Sequence, residues 1–250
     1  MAAAGDIVDG RDDEEATSAD LRLVAAQFDR LACPVHHTVG NHCLKHLPRH
    51  TLLAALKLQS AYYAVDLYPG WRLVVLDTTD LSTHGGWAAG SPQEVEALAY
   101  LNAHQGDVRM KRWNGGTGDA QTAWLRSQLA RAEADGVRVI VASHHALAPG
   151  SCRETHRCWN GEELAALCVA SPAFALALAG HDHPGGFALY RGRPFATIQA
   201  LLEASEERNA YAVLHVFEDR MVIDGVGTEV TSRLISLPGE GEAISATCDE

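Results

Sequence analysis

Gly180-His181-Asp182-His183 constrains this chain more than any other stretch. The two histidines follow directly on the apolar run Ala173-Phe174-Ala175-Leu176-Ala177-Leu178-Ala179. The run is short and ends on glycine, so it reads as a buried strand. Its alanines leave a helical segment open on periodicity alone. Where a strand ends the chain leaves the sheet, and both imidazoles can turn into one crevice. Neutral imidazole is the commonest side-chain metal ligand at physiological pH. A single His-x-His is more often a pair of solvated loop histidines, so the rest of the chain must decide between the two.

The 250 residues, 47% of them apolar, are enough for one large core. A net charge of −12 argues against a nucleic-acid or anionic-membrane binder. It leaves an anionic substrate open, because bound metal ions reverse the local charge. The six cysteines have no C-x-x-C spacing and read as reduced thiols of a cytoplasmic protein. No run reaches transmembrane length, and Met1 to Ala4 is too short for a signal peptide. A monomer acting on a small molecule is the expectation.

Taken in order, Gly5-Asp6-Ile7-Val8-Asp9-Gly10 reads as a strand end running into a loop with carboxylates at its mouth. A helix is expected from a Ser18 cap to about Leu31, followed by a short strand at 33–39 that runs into Gly40-Asn41-His42. A short helix at 51–58 precedes strands at 61–67 and 71–77, joined by a Pro69-Gly70 turn. Residues 81–110 read as an insertion with an acidic helix at 93–104. Asp119 is a candidate cap for the helix after Trp113-Asn114-Gly115-Gly116-Thr117-Gly118. The strand 137–142 ends on Ser143-His144-His145, and a helix at 161–170 precedes the 173–179 run. Hairpins are expected at 186–199 and 210–226, and a polar, disordered tail from Pro238. This alternation predicts an α/β fold, a mixed sheet flanked by helices.

Successive strand ends thus carry Asp6, then Asn41 and His42, then His144 and His145, then His181 and His183. In α/β folds, sites form at the carboxyl ends of the strands. Mixed oxygen and imidazole donors suit Mn, Fe or Zn. A carboxylate such as Asp6 can bridge two ions, an arrangement used for in-line displacement at phosphorus.

With these blocks in order, the chain resembles the calcineurin-like metallophosphoesterases. Within them it is similar to the manganese-dependent ADP-ribose/CDP-alcohol diphosphatases. That closer likeness rests on Gly5-Asp6-Ile7-Val8-Asp9-Gly10, Trp113-Asn114-Gly115-Gly116, Trp159-Asn160, Gly180-His181-Asp182-His183-Pro184-Gly185-Gly186, Leu202-Glu203-Ala204 and Val213-Leu214-His215-Val216. The resemblance implies one domain over residues 1–237, a sandwich of two mixed β-sheets flanked by helices, ahead of the 238–250 tail. It implies two divalent ions, manganese foremost, with Fe, Zn or Mg as alternatives. Asp6 would bridge them, Asn41, His144 and His181 would complete one site, and His183 would belong to the other. His42 would stay unligated as the catalytic acid beside the scissile phosphate. His144 is preferred to its neighbour because it follows Ser143, and adjacent strand residues face opposite ways. His145 is then structural or an outer hydrogen-bonding partner.

The implied reaction is hydrolysis of a nucleoside diphosphate derivative to a nucleoside monophosphate and a phosphorylated fragment. The alternatives are another phosphoesterase of the superfamily, acting on cyclic nucleotides or phosphomonoesters, and an inactive scaffold. Two departures from the family pattern stand out. An Asp-x-His block on a first strand is expected ahead of Gly5-Asp6, and only Met1 to Ala4 stand there, which reads as an N-terminal truncation. Cys43 follows His42 where an acidic residue is expected to orient it, so Cys43→Asp is expected to raise activity. Asp9 is expected to stabilise its loop, Asp182 to turn away from the site, and His36 and His37 to be structural. Trp113 and Trp159 are expected in the core, and the glycine-rich turn is expected to be only a turn.

Overall fold

A computed structural model describes residues 1–204, 208–227, 233–237 and 245–247. The elements run in the order β1 (Ala2–Ala3), α1 (Glu14–Phe28), β2 (His36–His37), α2 (Asn41–Lys45), α3 (Arg49–Ala55), β3 (Tyr63–Tyr68), β4 (Trp71–Val75), α4 (Pro92–Ala103), α5 (Asp119–Asp135), β5 (Arg138–Ala142), α6 (Gly161–Val169), β6 (Phe174–Ala179), β7 (Gly186–Tyr190), β8 (Arg193–Thr197), β9 (Ala210–Val216), β10 (Arg220–Gly227), β11 (Arg233–Ser236) and β12 (Ser245–Thr247).

The centre is a six-stranded mixed sheet in the order β3-β4-β5-β6-β8-β7. The β4–β5, β5–β6 and β6–β8 pairs are parallel, and antiparallel hairpins close both edges. Strands β4 and β5 are buried on both faces, and their side chains alternate between two cores. Val74, Val139 and Val141 pack with Leu125 and Leu129 of α5 and Leu164 of α6. Leu73, Val75 and Ile140 face Met221, Ile223 and Ile235 of a second sheet. That sheet has the order β12-β11-β10-β9 and is antiparallel throughout. The two sheets with their flanking helices are the expected α/β sandwich.

A third core joins the first residues to the helices after them, with Val8, Leu21, Val39, Cys43, Leu44 and Leu52 packed together. Here β1 pairs in parallel with β2, and Thr38 N–H donates to Ala3 O at 2.9 Å. Gly5-Asp6 and Gly40-Asn41 therefore leave a common edge side by side.

Several local readings need correction. Helix α1 is capped five residues before Ser18, by Asp13, whose Oδ1 accepts from Ala16 N–H at 2.7 Å. Gly118 caps α5, and Asp119 is its first residue. The segment after Gly40 is a helical turn. Most of the expected disordered tail lies outside the described residues, but Ser245–Thr247 form a strand on the edge of the second sheet, paired with β11.

Candidate metal centre

His144 lies at the centre of the cluster, on the turn after β5, and is 1% exposed. Its Nδ1–H donates to Ala4 O at 2.7 Å, and a carbonyl can only accept. The Nε2 lone pair is thereby aimed at the other strand ends. It stands 3.0 Å from Asp6 Oδ2, 3.0 Å from Asn41 Oδ1 and 3.2 Å from His181 Nδ1. Donor atoms about 2.1 Å from one ion stand roughly 3.0–3.4 Å apart in octahedral or tetrahedral geometry. The spacings therefore fit a single divalent ion held by Asp6, Asn41, His144 and His181.

The backbone is shaped to bring these donors together. Asp6 (φ 47°) and His181 (φ 66°) are among only four non-glycine residues with positive φ in the described residues. Such strain costs about 1–3 kcal/mol each and collects at functional sites. Glycine lets the strands close up. A Cβ on Gly40 would lie 2.2 Å from Asp6 N and Oδ1, and one on Gly5 2.4 Å from His144 Nδ1.

His181 is fixed by a residue the sequence reading left without a role. Asn114 is wholly buried, and its Nδ2 donates to Arg109 O at 2.8 Å and Thr155 O at 3.0 Å. Both partners are carbonyls, so the amide can only turn its Oδ1 to His181, accepting from Nε2–H at 2.9 Å. The Nδ1 lone pair of His181 is left for the ion. Hydrogen bonds of this outer kind set the tautomer and basicity of metal-binding histidines.

His145 belongs to the same group of imidazoles, yet both its nitrogens are spent on protein. Nε2–H donates to Trp113 O at 3.2 Å, and Nδ1 accepts from Thr78 Oγ1 at 2.8 Å. Burial and the neighbouring His144 push its pKa down to about 3. Burial and the surrounding imidazoles also hold His181 neutral. Burial works against charge on Asp6 and His144 alike, but their mutual attraction outweighs it. The carboxyl is lowered and the imidazole raised.

His183 stands apart from the ring. Its Nδ1 lies 2.9 Å from Glu203 Oε1, and it lines an open cavity of about 370 Å³ above the centre. The described residues offer a second ion two of the expected donors, Asp6 and His183.

His42 is 41% exposed and lines the same cavity. Its backbone N–H donates to Asp6 Oδ1 at 2.8 Å, and its Nδ1 lies 2.5 Å from Asp9 Oδ1. The orienting carboxylate therefore comes from Asp9. Cys43 points the other way into the third core, 1% exposed, with burial pushing its thiol up to about 12. The expected benefit of Cys43→Asp falls away, since a carboxylate there would be buried far from any need.

Trp113 is also a correction. It is 41% exposed and lines the cavity, whereas Trp159 is buried and stacks on Tyr100 as a core residue should. The glycine-rich turn holds no phosphate cradle, because Gly118 N–H is already bonded to Asp80 Oδ2. Asp182 turns away from the ring, as expected. The five described cysteines are free. No helix among the described residues is long and apolar enough to cross a membrane.

Known proteins resemble this chain in sequence and in fold. The chain is 33% identical over 243 residues to the manganese-dependent ADP-ribose/CDP-alcohol diphosphatase of Arabidopsis thaliana, spanning 90% of this chain and 77% of that protein. It is 27% identical to the Homo sapiens protein of the same name, spanning 94% of this chain and 78% of that one. A crystal structure of a dimetal phosphatase from Danio rerio superposes with a TM-score of 0.86 at 27% identity, covering 95% of this chain and 83% of that one. The sequence profile of the calcineurin-like phosphoesterases matches residues 1–185, most of the length, and the chain belongs to that family.

Proposed function

We propose that this protein is a metal-dependent hydrolase that cleaves the diphosphate of ADP-ribose, CDP-alcohols or related nucleoside diphosphate derivatives. The products are a nucleoside monophosphate and the other phosphorylated fragment. One observation carries the reading. Asp6 Oδ2, Asn41 Oδ1 and His181 Nδ1 each lie 3.0–3.2 Å from His144 Nε2, and Asn41, His181 and His42 line a cavity of about 370 Å³ beside them. Cavities of this size suit small molecules, and relatives that match 90% and 94% of this chain carry the corresponding name.

Asp6, Asn41, His144 and His181 would hold one ion, with manganese as the metal. Asp6 would extend to a second beside His183. Bound ions would polarise the phosphoryl oxygens, neutralise developing charge and lower the pKa of water. The chain's own groups do the rest. Asn114 and Ala4 hold the two imidazoles in the ligating tautomer. Asp9 accepts from Nδ1–H of His42, so that Nε2 faces the cavity. As the bond from water oxygen to phosphorus forms and the bridging P–O bond breaks, His42 donates its Nε2 proton to the departing phosphate oxygen. The exposed face of Trp113 offers a stacking surface for a base. The free thiols of the described residues accord with a cytoplasmic setting.

The test is a substrate panel with manganese: ADP-ribose, CDP-choline, a cyclic nucleotide and p-nitrophenyl phosphate, alongside metal analysis. Preferred turnover of the diphosphates is expected. Faster turnover of the monoester would overturn the substrate assignment, and purified protein that takes up no manganese would overturn the reading as a whole.

A further inference from the structure

The cavity carries more positive charge than the metal centre needs. Lys45 and Arg153 both line it, and no carboxylate does, in a chain of net charge −12. Lys45 lies one helical turn from Asn41 on α2 and so shares its face.

Arg153 is built into place. Its backbone N–H donates to Asp182 Oδ2 at 2.7 Å, its Nε–H to Asp182 Oδ1 at 2.7 Å, and its Nη2 lies 2.5 Å from Oδ1. Asp182 is 1% exposed and sits between His181 and His183, so the loop that carries two candidate ligands also anchors this cation. Nη2 further approaches His156 Nε2 at 3.4 Å, while Nη1 has no partner among the described residues. The Arg153 side chain is 56% exposed, on the cavity side. Asp182 also has His156 Nδ1 3.9 Å from its Oδ1, and the buried carboxylate holds the arginine in one place with part of its planar fork uncommitted, which suits it to bind an anion.

A diphosphate has two phosphoryl groups. The metal centre takes the one that is attacked, and the other keeps its charge and needs a cation beside it. We propose that Arg153, positioned by Asp182, binds the phosphoryl group that is not attacked, and so sets the preference for diphosphates over phosphomonoesters. This rests on the function proposed above. Guanidinium suits the role, because its planar fork matches phosphate oxygens.

The test compares wild type with Arg153→Ala and Arg153→Lys in the manganese-loaded protein, on ADP-ribose and on p-nitrophenyl phosphate. Losing a charge-assisted hydrogen bond should lower the ratio of kcat/KM for the diphosphate to that for the monoester about 10- to 100-fold in Arg153→Ala, with lysine recovering part of it. The loss should fall mainly on KM, and the manganese content should match that of wild type. An unchanged ratio, or metal lost with the arginine, overturns the proposal while the functional reading stands. A wild-type protein with no preference for ADP-ribose overturns that reading and this proposal with it.

Discussion

Asn114 offers the sharpest test of how the centre is assembled. Replacing it with alanine removes three hydrogen bonds at once: those to Arg109 O, Thr155 O and His181 Nε2. The side chain is wholly buried, but neither carbonyl is left without a donor: Arg109 O also accepts from Lys111 N–H at 2.7 Å and Thr155 O from Trp113 Nε1–H at 3.3 Å. At about 0.5–1.5 kcal/mol for each of the three lost bonds, the expected loss of stability is roughly 1.5–4.5 kcal/mol, a sizeable share of the roughly 5–15 kcal/mol typical of a domain. Losing the group that orients a ligating histidine should further weaken manganese binding about 10- to 100-fold. Asn114→Asp separates the two effects. A carboxylate still accepts from His181 Nε2–H, but it gives nothing to the two carbonyls. It should lose stability as the alanine variant does while keeping most of the manganese affinity. Thermal unfolding with and without manganese, and calorimetric titration with the ion, read both quantities. Wild-type manganese affinity in folded Asn114→Ala would refute the argument.

Other outcomes follow from the same geometry. Asp6→Asn should abolish metal uptake, whereas His42→Ala should retain metal and lose about 10²–10⁴-fold in kcat; equal metal loss in both would show that His42 is a ligand. Gly40→Ala places a Cβ 2.2 Å from Asp6 and should destabilise the fold by about 1–3 kcal/mol or more while emptying the metal site, as unfolding and metal analysis would record. Cys43→Asp buries an unpaired carboxylate and should cost roughly 3–5 kcal/mol with no gain in activity. In metal-free protein, His145 is held neutral with its pKa lowered from 6.5 to about 3. Its contribution is complete above 6.5 and is lost as pH falls toward 3, at about 1.4 kcal/mol per unit. His145→Gln should flatten that part of the stability–pH curve.

The residues of the candidate centre are legible in the sequence because each sits in a short block near the end of a strand, where sequence neighbours and spatial neighbours coincide. The residues that tune them are not. Asn114 and His181 are 67 positions apart, and Ala4 and His144 are 140. The Ala4 contribution is a backbone carbonyl, which no residue type announces. Asp9 was in view, but its service to His42 depends on how two loops cross after β1 and β2. Adjacency to His42 sets Cys43 in the place of an orienting carboxylate, but it hides that α2 turns successive side chains about 100° apart. The hairpins and the paired sheets followed from period-two alternation. Helix starts were misjudged where several capping residues compete, as Asp13 and Ser18 do. The β12 edge strand shows no apolar alternation that would mark it.

The bond from His144 Nδ1 to Ala4 O has a mechanical meaning as well as a chemical one. It fastens an imidazole of the candidate metal centre to the first residue beyond β1, a two-residue strand held along one side by β2. Seating of that strand and loading of the ion are then reciprocal: whatever strengthens one strengthens the other by the same factor. Manganese should slow amide exchange at His36 and Thr38, whose N–H groups bond to Met1 O and Ala3 O. Prising the strand loose should, conversely, release the ion. Strand β1 would in this sense be a clasp, closed by the metal it helps to hold.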